Sequence, residues 1–237
     1  MVSKKKLNIS SSELNTIKPI TDNQKEVFAS YEKGQNLFLY GVAGTGKTFV
    51  ALYNALKDVL DPKSPRERVY IVRSLLPTRD IGFLPGDEED KSYLYQVPYQ
   101  NMVRFMFQRG SDAEFDRLYT DLRNQGTIDF LSTSFLRGIT IDNGVIIVDE
   151  CQNLNFHELD TIMTRVGQNT RIVFAGDIQQ TDLTKTNDRN GILDFVNIMQ
   201  QMKEVDCIEF DLGDIVRSGV LKSYLIEKIK MGLHYEQ

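Results

Sequence analysis

Short runs of β-branched and aromatic residues alternate along the chain with longer stretches in which apolar residues recur at helical spacing. The short runs predict strands at 36–40, 69–73, 127–132, 144–149, 171–176 and 207–211. The longer stretches predict helices at 22–32, 47–60, 98–109, 113–124, 157–166, 191–203 and 219–231. Strands such as 144–149 are apolar on both faces, which is typical of a parallel sheet covered by helices. The pattern therefore predicts an α/β fold with a mostly parallel sheet and helices on both faces.

Two parts of the chain fall outside this alternation. Residues 74–97 are rich in glycine, proline and acidic side chains and are predicted to form one long irregular segment. Loops of that length inside a compact domain are usually functional or mobile. Residues 1–17 contain a lysine cluster followed by polar residues and are predicted to form a flexible N-terminal extension, with one domain over 18–237.

The composition limits the class of protein. With 237 residues, of which 41% are hydrophobic, the chain can bury one substantial core. Its net charge of −5 means that any contact with nucleic acid requires a local basic patch. Cys151 and Cys207 are too few for a disulfide framework, which favours a reducing, cytoplasmic compartment. No apolar run approaches the roughly 18 residues typical of a membrane span, so no membrane partner is expected.

The segment "GVAGTGKT" follows the predicted strand at 36–40 and precedes an apolar helix. Gly41, Gly46, Lys47 and Thr48 fit the spacing G-x-x-x-x-G-K-[ST] of a phosphate-binding loop, whose backbone N–H groups surround a triphosphate. Lys47 would contact the β- and γ-phosphates, and the Thr48 hydroxyl would bind Mg²⁺. The alternative is a glycine-rich turn that binds nothing. The residues expected to contact the nucleotide are Gly41, Val42, Ala43, Gly44, Thr45, Gly46, Lys47, Thr48 and Phe49.

A second segment, "GVIIVDECQN", places two carboxylates at the end of a buried-type strand. Asp149 is expected to hold a water bound to Mg²⁺, and Glu150 to polarise the attacking water. The alternative is that both residues cap the helix that follows. Two predicted strands lie between the loop and Asp149, which is compatible with the RecA-like branch of phosphate-loop proteins, where another strand separates the two motif strands.

Further segments occur in the order and spacing of the PhoH-like family, which the chain resembles over roughly residues 18–230. This family consists of phosphate-loop ATPases related to the first RecA domain of superfamily 1 helicases. Cys151, Ile178, Gln179 and Ser218 depart from the common pattern but leave the charged and amide groups of interest in place. The matching segments are "GFLPGD" at 82–87, "FLRG" at 135–138, "DECQN" at 149–153, "RIVFAGDIQQTDL" at 171–183 and "DIVRSGVL" at 214–221.

The resemblance implies roles for further residues. Gln24 is similar to the helicase glutamine that reads the edge of adenine through its paired donor and acceptor, the alternative being a surface helix residue. Gln180 is expected to contact the γ-phosphate or the attacking water. Asp177 is expected to hold the neighbouring loop, with turn formation as the alternative. The catalytic residues implied for Mg²⁺-dependent ATP hydrolysis are Lys47, Glu150, Gln180 and Arg217.

Arg217 is the residue whose role depends on assembly. Superfamily 1 helicases close two RecA domains on one ATP, whereas this chain has room for one. An arginine that stabilises the transferring γ-phosphate would come from a flexible segment of the same chain or from a neighbouring subunit. Supply by a neighbour predicts a head-to-tail homo-oligomer, a hexameric ring by resemblance. The alternative is an ion pair of Arg217 with Asp211 or Asp214.

The expected polymer partner is RNA or single-stranded DNA, whose binding or unwinding would be coupled to ATP hydrolysis. The alternative is a slow nucleotide-dependent regulatory module that acts on a protein partner. A set of aromatic residues near two arginines would stack on a single strand and neutralise it, or would pack in the core. This set is Tyr93, Tyr95, Tyr99, Phe105 and Phe107, with Arg104 and Arg109.

Overall fold

A sheet of six parallel strands organises the molecule. The computed structural model describes residues 9–73, 88–136, 138–178, 186–217 and 219–231. The strand order is β3-β2-β4-β5-β1-β6, and every neighbouring pair is parallel. The predicted α/β fold with a parallel sheet is confirmed. The strands are β1 (Asn36–Gly41), β2 (Arg68–Arg73), β3 (Ile128–Leu131), β4 (Gly144–Asp149), β5 (Arg171–Gly176) and β6 (Val205–Phe210).

Helices cover both faces of the sheet. Leu37 and Leu39 of β1 face a core shared with four helices, and Phe38 faces the opposite core, shared with two. Successive strand residues point to opposite faces, so strands that are apolar throughout fill both cores. The first core is packed by α1 (Asp22–Glu32), α2 (Lys47–Val59), α3 (Glu88–Phe107) and α4 (Asp112–Asn124). The second is packed by α5 (Phe156–Met163) and α6 (Thr186–Gln201), and α7 (Gly219–Lys230) ends the described chain.

The strand order brings distant segments to one edge of the sheet. β5 lies between β1, which leads into the glycine-rich loop, and β4, which ends at Asp149. All strands run in the same direction, so the segments that follow β1, β4, β5 and β6 leave the sheet at its carboxyl edge. The intervening strand is the arrangement that the sequence predicts for the RecA-like branch.

Several predicted boundaries are wrong. α3 begins at Glu88, not at 98, so residues 88–97 are helical and Pro98 lies inside the helix. A proline removes one backbone hydrogen bond, but the helix continues because Tyr99, Val103 and Met106 form one buried face. α6 begins at 186 instead of 191, α5 ends at 163 instead of 166, and β6 begins at 205. The remainder of the predicted irregular segment, 74–87, lies outside the described residues.

Residues 9–17, the described part of the predicted N-terminal extension, pack against the domain, and the flexibility of the extension stays a prediction. Ile9 is buried. The backbone N–H of Asn15 donates to the Met106 carbonyl over 2.8 Å, and that of Ile17 donates to the Tyr53 hydroxyl over 3.2 Å. The segment is ordered because α2 and α3 satisfy its backbone donors. The domain boundary at 17 stays a prediction.

Within the described ranges, none of the helices combines the length and the apolar character that crossing a membrane requires.

Candidate active site

The loop between β1 and α2 has a backbone that requires glycine at three positions. Gly41, Gly44 and Gly46 have φ angles of 113°, 79° and 84°, a region that residues with a Cβ rarely adopt. A Cβ at Gly41 would also lie 2.1 Å from the carbonyl oxygen of Phe210. The Val42 N–H donates to that oxygen over 3.0 Å. The end of β6 therefore fixes the start of the loop, and Gly46 leads into α2.

Lys47 is the first residue of α2, and its ammonium group is turned back to the loop. Its Nζ donates to the carbonyl oxygens of Gly41 and Val42 over 2.7 and 2.8 Å. Burial lowers the pKa of Lys47, and the nearby charges of Asp177 and Glu150 oppose that shift. The loop thus contains a cation whose present partners are backbone carbonyls. Phosphate oxygens are stronger partners for an ammonium group than neutral carbonyls.

Asp149 is a buried carboxylate that receives one hydroxyl on each oxygen. Thr48 Oγ1 donates to Oδ1 over 2.7 Å, and the Tyr99 hydroxyl donates to Oδ2 over 2.6 Å. Burial raises the pKa of Asp149, the charge of Glu150 raises it further, and the two hydroxyl donors act in the opposite direction. Thr48 and Asp149 place two oxygen ligands in contact, and oxygen is the ligand that Mg²⁺ prefers.

Glu150 follows β4 in a backbone conformation unusual for a residue with a Cβ, with φ of 52°. Its Oε2 accepts from Gln152 Nε2 over 2.6 Å, and Gln152 Oε1 accepts from the Asp177 N–H over 3.1 Å. A buried amide therefore joins Glu150 to the segment after β5. Glu150 occupies the N-cap position of the 3₁₀ helix Cys151–Asn153 but makes no capping bond with its side chain, and α5 is capped by Asn155 in a capping box with Glu158.

Gln24 lies against the loop and not on the surface. It is 4% exposed, so the surface alternative is wrong. Its Nε2 donates to the Thr45 carbonyl over 3.0 Å, and its Oε1 accepts from the Ile20 N–H over 2.9 Å. Gln24 thus contacts the loop through one amide proton. An amide has a second proton and a second oxygen lone pair, and the reading of adenine stays a prediction.

The remaining catalytic candidates have different outcomes. Gln180 lies outside the described residues. Arg217 is exposed, and across the described ranges no ion pair joins it to Asp211 or Asp214. The preceding Val216 N–H donates to the Gly44 carbonyl over 3.3 Å. The backbone next to Arg217 therefore contacts the loop of its own chain.

The aromatic set around α3 does not form an open basic surface. Tyr99 and Phe107 are buried. Arg104 forms ion pairs with Asp112 and Asp116, and Arg109 pairs with Glu13 over 2.6 Å. Tyr99 and Phe107 therefore belong to the core, whereas Phe105 is 65% exposed, and Tyr93 has no described side chain.

Two residues receive no role in this site from the sequence, which assigns one of them, Tyr99, only to the aromatic set around α3. Gln152 lies in the same segment as the two carboxylates, so its closeness to them in the sequence could have indicated a place in the site. Tyr99 precedes Asp149 by 50 positions. It lies on the helix α3, whereas Asp149 is the last residue of the strand β4. Only the packing of α3 on the sheet brings its hydroxyl to the carboxylate.

Comparison with known sequences places this site in a family. The profile of the family described as PhoH-like protein matches residues 16–228. The chain belongs to the PhoH-like family. Protein PhoH2 of Bacillus subtilis strain 168 is 35% identical over 159 residues, which are 67% of this chain and 35% of that protein. A PhoH-like protein of Mycobacterium leprae is 30% identical over 203 residues, which are 85% of this chain and 55% of that protein.

The chain therefore spans from about a third to about half of the length of these PhoH-like relatives. Among solved structures, the large terminase of a thermophilic bacteriophage has a TM-score of 0.50 at 11% identity. The match covers 90% of this chain and 50% of the terminase chain. This likeness shows the fold alone, and it agrees with the strand order and the loop. The chain has the RecA-like fold of P-loop NTPases.

The burial of Asp149 predicts that its charge destabilises the folded protein. Because the pKa of Asp149 is raised in the folded state, this penalty is present at neutral pH and disappears as the pH falls below the ordinary aspartate pKa of about 4. We expect Asp149→Asn to raise the midpoint of thermal unfolding at pH 7, by about 2–4 °C for each kcal/mol relieved. The difference should shrink towards pH 4.

Asp58 is the matched control. This half-buried carboxylate lies 3.3 Å from Arg66 and 3.7 Å from Arg171, so Asp58→Asn should lower the unfolding midpoint. An Asp149→Asn protein that is less stable than the wild type at pH 7 would contradict the prediction.

Proposed function

We propose that this chain binds ATP with Mg²⁺ and hydrolyses it. The observation that carries the proposal is the 2.7 Å contact between Thr48 Oγ1 and Asp149 Oδ1. It joins the residue after the loop lysine to a carboxylate that lies 101 positions later. A glycine-rich turn that binds nothing needs neither this pair nor a lysine within the loop, whereas a site for a metal and a triphosphate needs both.

Each residue has a role that its position supports. Lys47 would exchange its carbonyl partners for the β- and γ-phosphate oxygens. Thr48 and Asp149 would hold Mg²⁺, directly and through water, and the bound ion would neutralise charge on the phosphates. Glu150 would accept a proton from the attacking water. Gln152 would hold the carboxylate of Glu150 through the hydrogen bond that its side-chain amide donates.

Binding and turnover should separate in two variants. Lys47→Ala removes the cation and should weaken ATP binding at least tenfold. Glu150→Gln keeps the shape of the side chain but removes the proton acceptor, so ATP should still bind while turnover falls about 10²-fold or more. Equilibrium binding of ATP and steady-state release of phosphate are the two measurements.

Two substitutions serve as controls for this pair. Lys57→Ala removes an exposed lysine from the same helix α2. Glu158→Gln alters a carboxylate of the next helix, α5, but retains the capping box, which accepts either residue. Both should bind and hydrolyse ATP as the wild type does. Wild-type turnover in Glu150→Gln would remove the proposed role of Glu150.

We also propose that Gln24 reads the adenine base. If it does, the site should prefer ATP to GTP, and Gln24→Ala should lose that preference. The substitution also removes the bond to the Thr45 carbonyl, so both nucleotides should bind more weakly. The ratio of the affinities for ATP and GTP, measured by competition, therefore reports on recognition of the base alone. Equal competition by GTP in the wild type would mean that the base is not read there.

Arg217 is proposed to stabilise charge on the γ-phosphate. Its exposure suits a group supplied to the site of a neighbouring subunit, whereas the contact of Val216 with Gly44 suits action within one chain. We expect Arg217→Ala to lower turnover about 10³-fold with a modest loss of ATP binding. If a ring forms and the arginine acts between subunits, a mixture of Arg217→Ala and Glu150→Gln subunits should regain activity. Some interfaces of such a mixture combine an intact Glu150 from one subunit with an intact Arg217 from the next.

The mixture has two further outcomes. No recovery in an assembly shown to exchange subunits would assign Arg217 to its own chain. Normal turnover in Arg217→Ala alone would remove the role in either form.

The polymer partner, RNA or single-stranded DNA, remains a hypothesis from the family resemblance. Arg104 and Arg109 are paired with acidic residues, so the basic patch on which it would depend must lie elsewhere. Titrating the ATPase with either polymer separates the two candidate functions. Severalfold stimulation supports a motor on nucleic acid, and no response supports the regulatory module.

A further inference from the structure

Tyr99 is the part of the site that no sequence motif identifies. Its side chain is 2% exposed and packs edge-on against Phe130, with the ring centroids 5.5 Å apart. The ring alone would make it a core residue. Its hydroxyl, however, lies 2.6 Å from Oδ2 of Asp149. A buried tyrosine hydroxyl that donates to a buried carboxylate fixes the rotation of that carboxylate as well as filling space.

The two oxygens of Asp149 are held by different elements. Oδ1 accepts from Thr48 at the start of α2, and Oδ2 accepts from Tyr99 on α3. Thr48 is also a proposed metal ligand, so its bond to Asp149 is the one that metal binding would alter. Tyr99, by contrast, is not a proposed metal ligand. Its hydrogen bond is the contact that can hold Asp149 in place when the metal enters.

A second tyrosine–aspartate pair in the same molecule shows what is particular to the first. The Tyr31 hydroxyl donates to Oδ2 of Asp58 over 3.1 Å. Asp58 is also bound by Ser64 and lies near the guanidinium groups of Arg66 and Arg171. Cations fix the carboxylate there. In the part of the chain that the structure describes, Asp149 forms no ion pair: the charge of Arg73 acts on it from a greater distance, and the groups that donate to its two oxygens are hydroxyls.

We propose that Tyr99 is a positioning residue for the metal, which holds the carboxylate of Asp149 so that Oδ1 stays beside Thr48. The inference rests on the proposed Mg²⁺–ATP site. Groups that orient a metal-binding carboxylate typically change metal affinity 10- to 100-fold when they are removed. Tyr99 would therefore set the affinity for the metal, while the affinity for the nucleotide without metal depends on the loop.

The test is direct metal binding, which does not require turnover. Mn²⁺ replaces Mg²⁺, and free Mn²⁺ is measured by electron paramagnetic resonance in the presence of a non-hydrolysable ATP analogue. Tyr99→Phe keeps the ring against Phe130 and removes only the hydroxyl. We expect it to need at least about tenfold more Mn²⁺ for half-occupancy. Its affinity for the analogue in EDTA should stay within about twofold of the wild type.

Tyr31→Phe is the matched control, because it removes the same atom from the same kind of bond at the opposite edge of the sheet. It should bind Mn²⁺ as the wild type does. A double-mutant cycle then asks whether Tyr99 acts through Asp149: in an Asp149→Asn background, Tyr99→Phe should have little further effect.

Three results would overturn the inference. Wild-type Mn²⁺ binding in Tyr99→Phe would make Tyr99 a packing residue. An equal loss of analogue binding with and without metal would mean that the hydroxyl supports the loop and not the metal. Equal losses in Tyr31→Phe would make the effect a general one of losing a buried hydroxyl. If the wild type itself takes up no Mn²⁺ with the analogue, the proposed function fails first, and this inference fails with it.

Discussion

The contact between Thr48 Oγ1 and Asp149 Oδ1 is the interaction on which the arrangement of the site depends. It requires two strands that run in the same direction and end at the same edge. The strand between them, β5, is completely buried and sets their separation. A parallel strand covered on both faces is predominantly apolar, so the apolar runs along the chain are the physical condition for bringing a loop hydroxyl to a carboxylate. The glycines of the loop then let the backbone turn back towards this edge.

The same contact has an electrostatic cost that the surrounding residues reduce. Asp149 and Glu150 are adjacent carboxylates, and burial disfavours the charge on Asp149. Hydroxyl groups donate to Asp149 and the Gln152 amide donates to Glu150, and these are neutral donors. The cations Lys47 and Arg73 also act on the charge of Asp149, but neither forms an ion pair with it among the described residues. The cluster around Asp58, by contrast, uses arginines at the edge that carries no proposed chemistry.

The sequence predicts the parts of this site that lie close together in the chain. The loop and the pair of carboxylates follow fixed local spacings, so both are identified, and Gln24 is identified from motif order. The sequence does not predict the start of α3. Pro98 is typical of a helix boundary, and the burial of its neighbours, which lets the helix continue, is not visible in the sequence. Tyr99 is missed for the same reason: its partner is set by how α3 packs on the sheet, and no local pattern contains that information. Gln152 could have been predicted as part of the site, because it lies two residues after Glu150.

The loop is also held by two segments other than the strands that carry the carboxylates, which links the candidate site to them. The carbonyl of Thr45 accepts from Gln24 on α1, and the carbonyl of Gly44 accepts from Val216, next to Arg217. Neighbouring peptide units of one loop thus bind separate segments. These two peptide planes share the Cα of Thr45 but turn about separate φ and ψ angles, so a change in the loop backbone can keep one hydrogen bond and break the other. The carbonyl of Gly44 is therefore the direct contact between the loop and the segment that carries Arg217.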